Sequence, residues 1–392
     1  MNKNTRISLV DALRGFALLG IVLIHSIEHF DFFRLPDSHF IFSRNFDAMV
    51  MEWGFLLVGG KAYSIFAFMF GLSFFIQMDR QQKKGIDFSG RFAWRLMILS
   101  IFGFIHSLFY EGDILLIYAA LGLPLLFLNK LNSKVLLVLA ILLALQVPII
   151  YTTLYSFMNP GFEYQETFGA GLWGVGAKVY AEGNLMEVIQ YNFWKGRSAV
   201  WGWTYYNGRY LQLIALFIAG LLIGRNQFFE KYGLYKKQIL NVFIYSVIGT
   251  VVIYTAKLWF RSLDLTASQS QLLEKLAKSY SDLTNTAAII SLFILLYIVI
   301  KKNVIFSTLA SYGRMSLTNY VSQSLFGVFF FYNFGLGMYH YLGSTWSLFY
   351  GIMIFLIQAT ISNYWIKKYY YGPLEWFWRA LTYFNFKLKF KR

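Results

Sequence analysis

The fold class is decided by the stretch Leu9-Val-Asp11-Ala-Leu-Arg14-Gly-Phe-Ala-Leu-Leu-Gly-Ile-Val-Leu-Ile-His25-Ser-Ile27. This run is apolar almost throughout, and at 1.5 Å per residue a helix of this length crosses a hydrocarbon core of about 30 Å. Comparable runs recur along the whole chain, which is 57% hydrophobic and only 14% charged. Water-soluble folds do not maintain such a balance over their full length. We therefore predict an all-α, polytopic integral membrane bundle.

About ten transmembrane helices are predicted, with boundaries uncertain by about two to four residues. They are Leu9–Ile27, Gly54–Met78, Phe92–Phe109, Ile114–Leu128, Val135–Leu154, Tyr210–Gly224, Ile239–Ala256, Thr284–Ile300, Leu317–Leu336 and Trp346–Ile366. The chain is predicted to form one integral membrane domain, residues 1–392. Residues 28–53 and 156–209 form outward-facing segments, and residues 310–392 form a C-terminal region that ends in a cytoplasmic amphipathic helix.

The formal net charge of +16 is explained by membrane topology. With the N-terminus inside, the basic clusters Arg80–Lys84, Lys236–Lys237, Lys301–Lys302 and Lys387–Arg392 all fall on the cytoplasmic side, as the positive-inside rule requires. Both termini are then cytoplasmic. The lipid bilayer, rather than nucleic acid, is the expected partner of this charge. The chain contains no cysteine, which excludes disulfides, thiolate metal ligands and a cysteine nucleophile.

The first helix carries a polar face inside the membrane. Asp11, Arg14, His25 and Glu28 are related by steps of three and four residues, so they share one side of the helix. Arg14 and His25 are eleven residues apart, which corresponds to a rise of about 16 Å. We predict Arg14 near the cytoplasmic end and His25 near the outer end. Because ionisable side chains in lipid cost several kcal/mol, this face must line a cavity or contact a partner.

The third predicted helix repeats this arrangement. Arg95 and His106 are again eleven residues apart, and this helix also runs from inside to outside. Asp113 follows shortly after His106, and Tyr118 lies on the next helix. We predict that the two histidines and the nearby carboxylates gather at one membrane level. Coordination of a metal lacks a diagnostic ligand spacing here, so no metal site is predicted.

Other intramembrane polar residues have two interpretations each. Lys61, near the outer start of the second helix, either binds substrate or extends to the interface. Asn319 and Gln323 share a face of the ninth helix, where they either bind substrate or join helices by hydrogen bonds. The alternative interpretation of Asp11 and Arg14 is a simple ion pair, and that of His106 is a hydrogen bond to Asp113.

The C-terminal stretch Gly372-Pro373-Leu374-Glu375-Trp376-Phe377-Trp378-Arg379 resembles the start of a surface helix with proline in its first turn. Glu375 and Arg379 are four residues apart, which predicts an ion pair on one helix face.

Several motifs resemble the YeiB family of bacterial membrane proteins. They are Arg6-Ile-x-x-x-Asp11-Ala-Leu-Arg14-Gly15, Gly60-Lys61-x-Tyr-Ser-Ile-Phe66-x-Phe-Met-Phe70-Gly71, Gly112-Asp113-Ile-Leu-x-x-Tyr118-Ala119 and Gly313-Arg314-Met315-Ser-Leu-Thr318-Asn319-Tyr320-x-x-Gln323-Ser324, followed by the Gly372 to Arg379 stretch. The last two are similar to that family's C-terminal domain of unknown function. The resemblance implies a multi-pass protein of the bacterial inner, or cytoplasmic, membrane. It implies no settled activity, although transport is often suggested for the family.

The combination Asp11-x-x-Arg14-Gly15 followed by His25 is also similar to the opening helix of transmembrane acyltransferases that modify cell-surface glycans. In the YeiB pattern Asn commonly occupies the place of His25, so this chain departs toward the acyltransferase form. The similarity implies a cytoplasmic acyl-CoA donor, with acetyl-CoA as the first candidate, and an acceptor on the far side. It implies Arg14 near the donor's phosphates and His25 as the base.

Three function classes remain open on sequence grounds. An acyltransferase would use His25, oriented by Glu28 or Asp113, as general base, with His106 beside it. Arg14, Arg95, Asp11, Lys61, Tyr118, Asn319 and Gln323 would then bind donor or substrate. A proton-coupled transporter would use the same groups as a proton relay and an anion site, and a structural subunit would only pack them. The expected partners are a small-molecule donor and a cell-envelope acceptor, with no permanently bound cofactor, and a homodimer is left open.

Overall fold

The computed structural model describes residues 7–33, 36, 43–300 and 303–392. Arg6 and Lys301–Lys302, which enter the motif and charge arguments, lie outside the described residues. The helices are α1 (Ser8–Ile27), α2 (Arg44–Leu57), α3 (Lys61–Gln82), α4 (Ser89–Ser107), α5 (Leu115–Gly122), α6 (Leu125–Leu128), α7 (Ser133–Ala144), α8 (Val147–Met158), α9 (Leu172–Glu182), α10 (Leu185–Tyr191), α11 (Arg197–Tyr206), α12 (Arg209–Arg225), α13 (Lys236–Arg261), α14 (Ala267–Val299), α15 (Val304–Arg314), α16 (Ser316–Phe331), α17 (Ser344–Lys368) and α18 (Pro373–Tyr383).

The predicted all-α membrane bundle is confirmed for the described residues, whose β-structure is limited to an isolated bridge between Tyr369 and Lys391. The predicted count of about ten membrane spans is not confirmed. Six helical segments of the described chain are long and apolar enough to cross a membrane: Ser8–Ile27, Arg44–Gln82, Ser133–Met158, Tyr232–Arg261, Ala267–Val299 and Ser344–Lys368. A seventh arises if α10 to α12, bent by 72°, is one broken span. The other predicted spans fall on α4, on the short apolar helix Leu115–Leu128 and on α16.

Helix α1 lies inside the bundle, and it crosses α15 with the two backbones in direct contact. A Cβ atom on Gly15 would lie 2.0 Å from the carbonyl oxygen of Leu309, and one on Gly313 would lie 2.0 Å from that of Asp11. Only glycine permits this approach from both sides. Such small-residue crossings are typical of membrane bundles, where van der Waals contact drives helix association.

Helices α3 and α12 cross in the same way. A Cβ atom on Gly71 would lie 1.9 Å from the carbonyl oxygen of Phe217, and one on Gly220 would lie 2.1 Å from that of Phe68. The two reciprocal crossings fix α3 and α15 to their neighbours with little freedom to slide. They therefore hold the N-terminus of α3 and the polar face of α1 in defined positions.

The two ends of the bundle are covered differently. At the end where α4 begins, α18 packs on the bundle, with the indole N–H of Trp94 donating to the carbonyl of Leu381. At the opposite end, the segment between α8 and α12 folds into short helices. There, Asn192 donates to the carbonyl of Leu108 at the end of α4, and Tyr180 stacks on Tyr332 beyond α16.

Candidate functional site

The polar face of α1 ends in a compact cluster around His25. The His25 Nδ1 atom lies 2.6 Å from a carboxylate oxygen of Glu28. The hydroxyl of Tyr110 lies 2.8 Å from Nδ1 and 3.2 Å from Nε2 of the same ring. The exposed fraction of the His25 side chain is 16%, and that of the Glu28 side chain is 7%. A carboxylate on Nδ1 favours the tautomer in which Nε2 is the basic nitrogen, which is the arrangement of a general base.

The chain beyond α1 turns back through an unusual backbone conformation. His29, Phe30 and Asp31 have φ values of 53°, 57° and 68°, all in the left-handed region that non-glycine residues rarely adopt. Each such residue costs on the order of 1 kcal/mol, and such strain concentrates at functional sites. Here the turn is stabilised by buried contacts, since His29 bonds the hydroxyl of Ser347 at 2.8 Å and stacks on Phe331.

This turn brings Asp31 back to the cluster, a residue that sequence reasoning did not select. One ligand atom from each of His25, Glu28 and Asp31 can be chosen so that all three lie within 4.8 Å of one another. Burial raises the pKa of Glu28 to about 8. Burial, together with the neighbouring Glu28 carboxylate, raises the pKa of Asp31 to about 7. The carboxyl pair therefore exchanges protons near neutral pH. The spacing of the donor atoms would suit a small cation, and the prediction of no metal site stays a prediction.

The second histidine adjoins the first through Tyr110. Ring centroids of His25 and Tyr110 are 5.3 Å apart, and those of His106 and Tyr110 are 5.9 Å apart. His106 Nδ1 lies 2.8 Å from Asp113, while its buried Nε2 has no hydrogen-bond partner among the described residues. The structure thus has two histidines, each with a carboxylate on Nδ1, on either side of one tyrosine. Tyr320 adds a further ring 5.3 Å from His106.

Glu111 lies next to Tyr110 and is 1% exposed. Neither carboxylate oxygen has a hydrogen-bond partner in the described part of the chain. Burial raises the pKa of Glu111 well above its usual range. Glu111 adds a further buried carboxyl to the outer cluster.

The two arginines lie at the other end of the bundle. Arg14 is paired with Asp11 at 3.2 Å, as one interpretation of the sequence predicts, and also donates to Ser73. Arg95 makes a cation–π contact, in which its guanidinium carbon lies 3.6 Å from the ring centroid of Trp378 in α18. The arginines and histidines therefore occupy opposite ends of α1 and α4. The hypothesis that all four line one continuous cavity stays a prediction.

Lys61 is not part of the histidine cluster. It is 4% exposed, and its ammonium group lies 3.1 Å from Asp282 and donates to the carbonyl of Phe55. Arg209 binds the other carboxylate oxygen of Asp282 at 3.0 Å. Asp282, which was not among the candidate site residues, lies within α14 and is 1% exposed. The signal that it missed is the pair of sequences Gly60-Lys61 and Gly208-Arg209, each placing a cation at the first position of a helix.

Tyr118, Asn319 and Gln323 make contacts within the bundle. The Tyr118 hydroxyl donates to the carbonyl of Tyr63 at 2.6 Å. Asn319 donates to the carbonyl of Tyr312 and to Ser362 in α17, and Gln323 accepts from the hydroxyl of Tyr312. These bonds match the interpretation of interhelical hydrogen bonding, and binding roles for these residues stay predictions.

The predicted ion pair between Glu375 and Arg379 is wrong. Glu375 is half-buried and accepts hydrogen bonds from the backbone N–H groups of Leu317 and Thr318, at 2.6 and 3.1 Å, and from the Thr318 hydroxyl at 2.6 Å. It therefore caps the N-terminus of α16, whose free N–H groups and dipole favour a carboxylate. Arg379 instead lies over the ring of Tyr371.

Comparison with known proteins confirms the YeiB resemblance. Residues 223–385 match the family described as a protein of unknown function, DUF418. The uncharacterized protein YxaH of Bacillus subtilis (strain 168) is 25% identical, covering 98% of this chain and 96% of its own. An uncharacterized 39.9 kDa protein from the amylase 3′ region of Bacillus acidopullulyticus is 29% identical over 96% and 94%. The uncharacterized protein YeiB of Escherichia coli (strain K12) is 25% identical, with 95% of each chain covered.

Proposed function

We propose that this YeiB-like membrane protein is an acyltransferase of the bacterial cytoplasmic membrane that moves an acyl group from a cytoplasmic acyl-CoA to an outward-facing glycan or lipid. The observation that carries the proposal is the placement of His25 and Arg14 on one helix face. His25 has a carboxylate on Nδ1 at 2.6 Å, and the arginine lies about 16 Å away along α1.

The chemistry at the outer end requires a base. An acceptor hydroxyl attacks the thioester carbonyl while His25 Nε2 accepts its proton, and Glu28 in its ionised form stabilises the resulting imidazolium. The carbon–sulfur bond then breaks, and the departing coenzyme A thiolate takes up a proton. The Tyr110 hydroxyl lies 3.2 Å from Nε2. An acceptor hydroxyl at a similar distance from Nε2 could donate its proton to the base. Positioning of this kind contributes about 10²- to 10⁴-fold in rate.

The other end supplies positive charge for the donor. Arg14 and Arg95 keep their charge at any physiological pH and suit the phosphates of coenzyme A. Trp378 covers the guanidinium of Arg95, so α18 would shape this entrance. The extended pantetheine arm of coenzyme A is comparable in length to the separation of Arg14 and His25. A donor bound by its phosphates at the arginines would thus present its thioester near the histidine.

The test uses purified protein in detergent, radiolabelled acetyl-CoA and a cell-envelope extract as acceptor. We expect label to be transferred by the wild-type protein and lost in His25→Ala. A matched control is His340→Ala, because His340 is exposed and lies on a short turn before α17. Equal transfer by His25→Ala and His340→Ala would refute the base assignment.

A proton-coupled transporter is the second candidate, and the carboxyl pair Glu28 and Asp31 favours it, because their pKa values of about 8 and about 7 suit proton exchange at neutral pH. A transporter has no activity in detergent, where no compartments remain. If detergent-purified protein transfers no label, while vesicles accumulate a solute in a manner that depends on His25, this second function replaces the first.

A further inference from the structure

A second charged cluster, separate from the histidines, joins α3, α12 and α14. Lys61 and Arg209 are each 4% exposed, and they share the carboxylate of Asp282. In the part of the chain that the structure describes, Lys61 and Arg209 form no ion pair other than the one that each makes with Asp282. Two buried positive charges therefore meet a single negative charge among the described residues. An uncompensated buried charge is strongly destabilising, so a further anion would stabilise the cluster.

Helix geometry adds to this excess of positive charge. Lys61 is the first residue of α3 and Arg209 the first residue of α12, and neither first turn contains an acid. The N-terminus of a helix carries about half a positive charge and exposed N–H groups, and it favours anions. Placing a cation at two such termini is the reverse of the usual arrangement. Both helices, with 22 and 17 residues, are long enough for this effect.

The third helix, α14, adds an exposed cation and a buried hydroxyl near the cluster. Lys278 lies one turn before Asp282 on the same face of α14, is exposed, and interacts electrostatically with Asp282, Arg209 and Lys61. Ser279 is 4% exposed, and its hydroxyl has no hydrogen-bond partner among the described residues. A buried hydroxyl without a partner among the described residues thus lies three residues from Asp282 on the same helix.

Aromatic rings indicate where this cluster lies relative to the bilayer. The guanidinium of Arg209 lies 4.8 Å from the ring centroid of Tyr63 and 5.0 Å from that of Trp203, and Trp203 is 40% exposed. Tryptophan and tyrosine are enriched at the headgroup level of membranes. The charge bias of the loops places this end of the bundle outside.

We propose that Lys61, Arg209 and Lys278 form an outward-facing site for a phosphate group, supplied by an anionic phospholipid headgroup or by a phosphate-bearing solute. Arginine and lysine are the residues that bind phosphate, the first through its planar fork and the second as a point charge. The phosphate supplies the negative charge that Asp282 alone does not. This inference is independent of the proposed acyl transfer.

The test measures binding of fluorescent phosphatidylglycerol to the detergent-purified full-length protein. Because Lys278 is exposed, Lys278→Gln should fold normally, and we expect its Kd to rise about fivefold, as for one cation near an anionic headgroup. The matched control is Lys275→Gln on the same helix, since Lys275 is already paired with Glu166 at 2.6 Å. Its Kd should remain within about twofold of wild type.

A second variant is expected to change the affinity in the opposite direction. Asp282→Asn removes the competing negative charge, so it should tighten binding in protein that still elutes as a single species. Inorganic phosphate is then added at constant ionic strength. Phosphatidylglycerol binding that withstands phosphate supports the lipid source, and displacement by phosphate supports the solute source. Equal affinities of the wild-type protein, Lys278→Gln and Lys275→Gln would overturn the proposal, as would weaker binding by folded Asp282→Asn.

Discussion

Replacing Glu375 tests whether α18 is joined to the bundle through the cap on α16 or through a pair on its own surface. The carboxylate accepts three hydrogen bonds, two of them from backbone N–H groups at the start of α16. Glu375→Ala removes all three acceptor contacts. It leaves the N–H groups of Leu317 and Thr318 without their carboxylate partner in a half-buried site.

The magnitude follows from the type of bond. A hydrogen bond to a charged group contributes about 1.5–3 kcal/mol, and loss of a helix cap costs about 0.5–2 kcal/mol. Burial raises the pKa of Glu375, which shows that desolvation offsets part of this gain. We therefore expect Glu375→Ala to lower the free energy of unfolding by about 2–4 kcal/mol. Glu375→Gln, which keeps one carbonyl acceptor, should lose about half as much.

The assay is thermal unfolding of the detergent-purified protein, followed by intrinsic fluorescence and by the monodisperse fraction in size exclusion. Arg379→Ala is the control, because its cation–π contact with Tyr371 is worth only about 0.5–1 kcal/mol. Glu375→Ala should lower the midpoint by several degrees more than Arg379→Ala does. Equal shifts for the two variants would indicate that a pair on α18, rather than the cap on α16, stabilises this region, and the reasoning would be refuted.

Three further predictions concern topology, acidity and packing. Lys83→Cys should resist an impermeant thiol reagent applied to intact cells while exposed Glu163→Cys is labelled, and labelling of both would contradict the cytoplasmic assignment. The pKa of Glu28 rises from 4.5 to about 8 on folding, so the folded protein binds more protons in this range and stability falls as pH rises through it. Glu28→Gln should therefore flatten the dependence of the thermal midpoint on pH between about 5 and about 8, and an unchanged slope would exclude Glu28 as its source. Gly313→Ala should sharply reduce folded protein because its Cβ would lie 2.0 Å from a backbone oxygen, whereas Gly90→Ala, which meets nothing within 4 Å, should leave the yield unchanged.

Local periodicity carried much of the information about α1. The apolar run predicted a membrane helix, and steps of three and four residues placed Arg14, His25 and Glu28 on one face, as the helix has them. The pairing of Asp11 with Arg14 and of His25 with Glu28 follows from the same rule, since residues three apart are neighbours on any α-helix. The family motifs indicated the relatives but no activity.

The limits of that rule appear where helices meet. Glu375 and Arg379 have the spacing of an ion pair, yet the carboxylate lies against α16, 57 residues away in sequence. Several charge-assisted hydrogen bonds to a helix N-terminus contribute more to stability than one exposed ion pair. The predicted number of spans was not confirmed for a related reason, since hydropathy does not show where a helix is short or bent.

The composition and periodicity of the sequence determined that the chain is an all-α membrane protein, and they determined which polar residues share a helix face. Only the tertiary structure decided which faces meet. Asp31 reaches His25 through a left-handed turn that no propensity favours, Tyr110 lies between two histidines on different helices, and Lys61 shares a carboxylate with Arg209. Helical periodicity acts over a few residues, whereas these contacts depend on crossings that glycines permit between segments far apart in the chain.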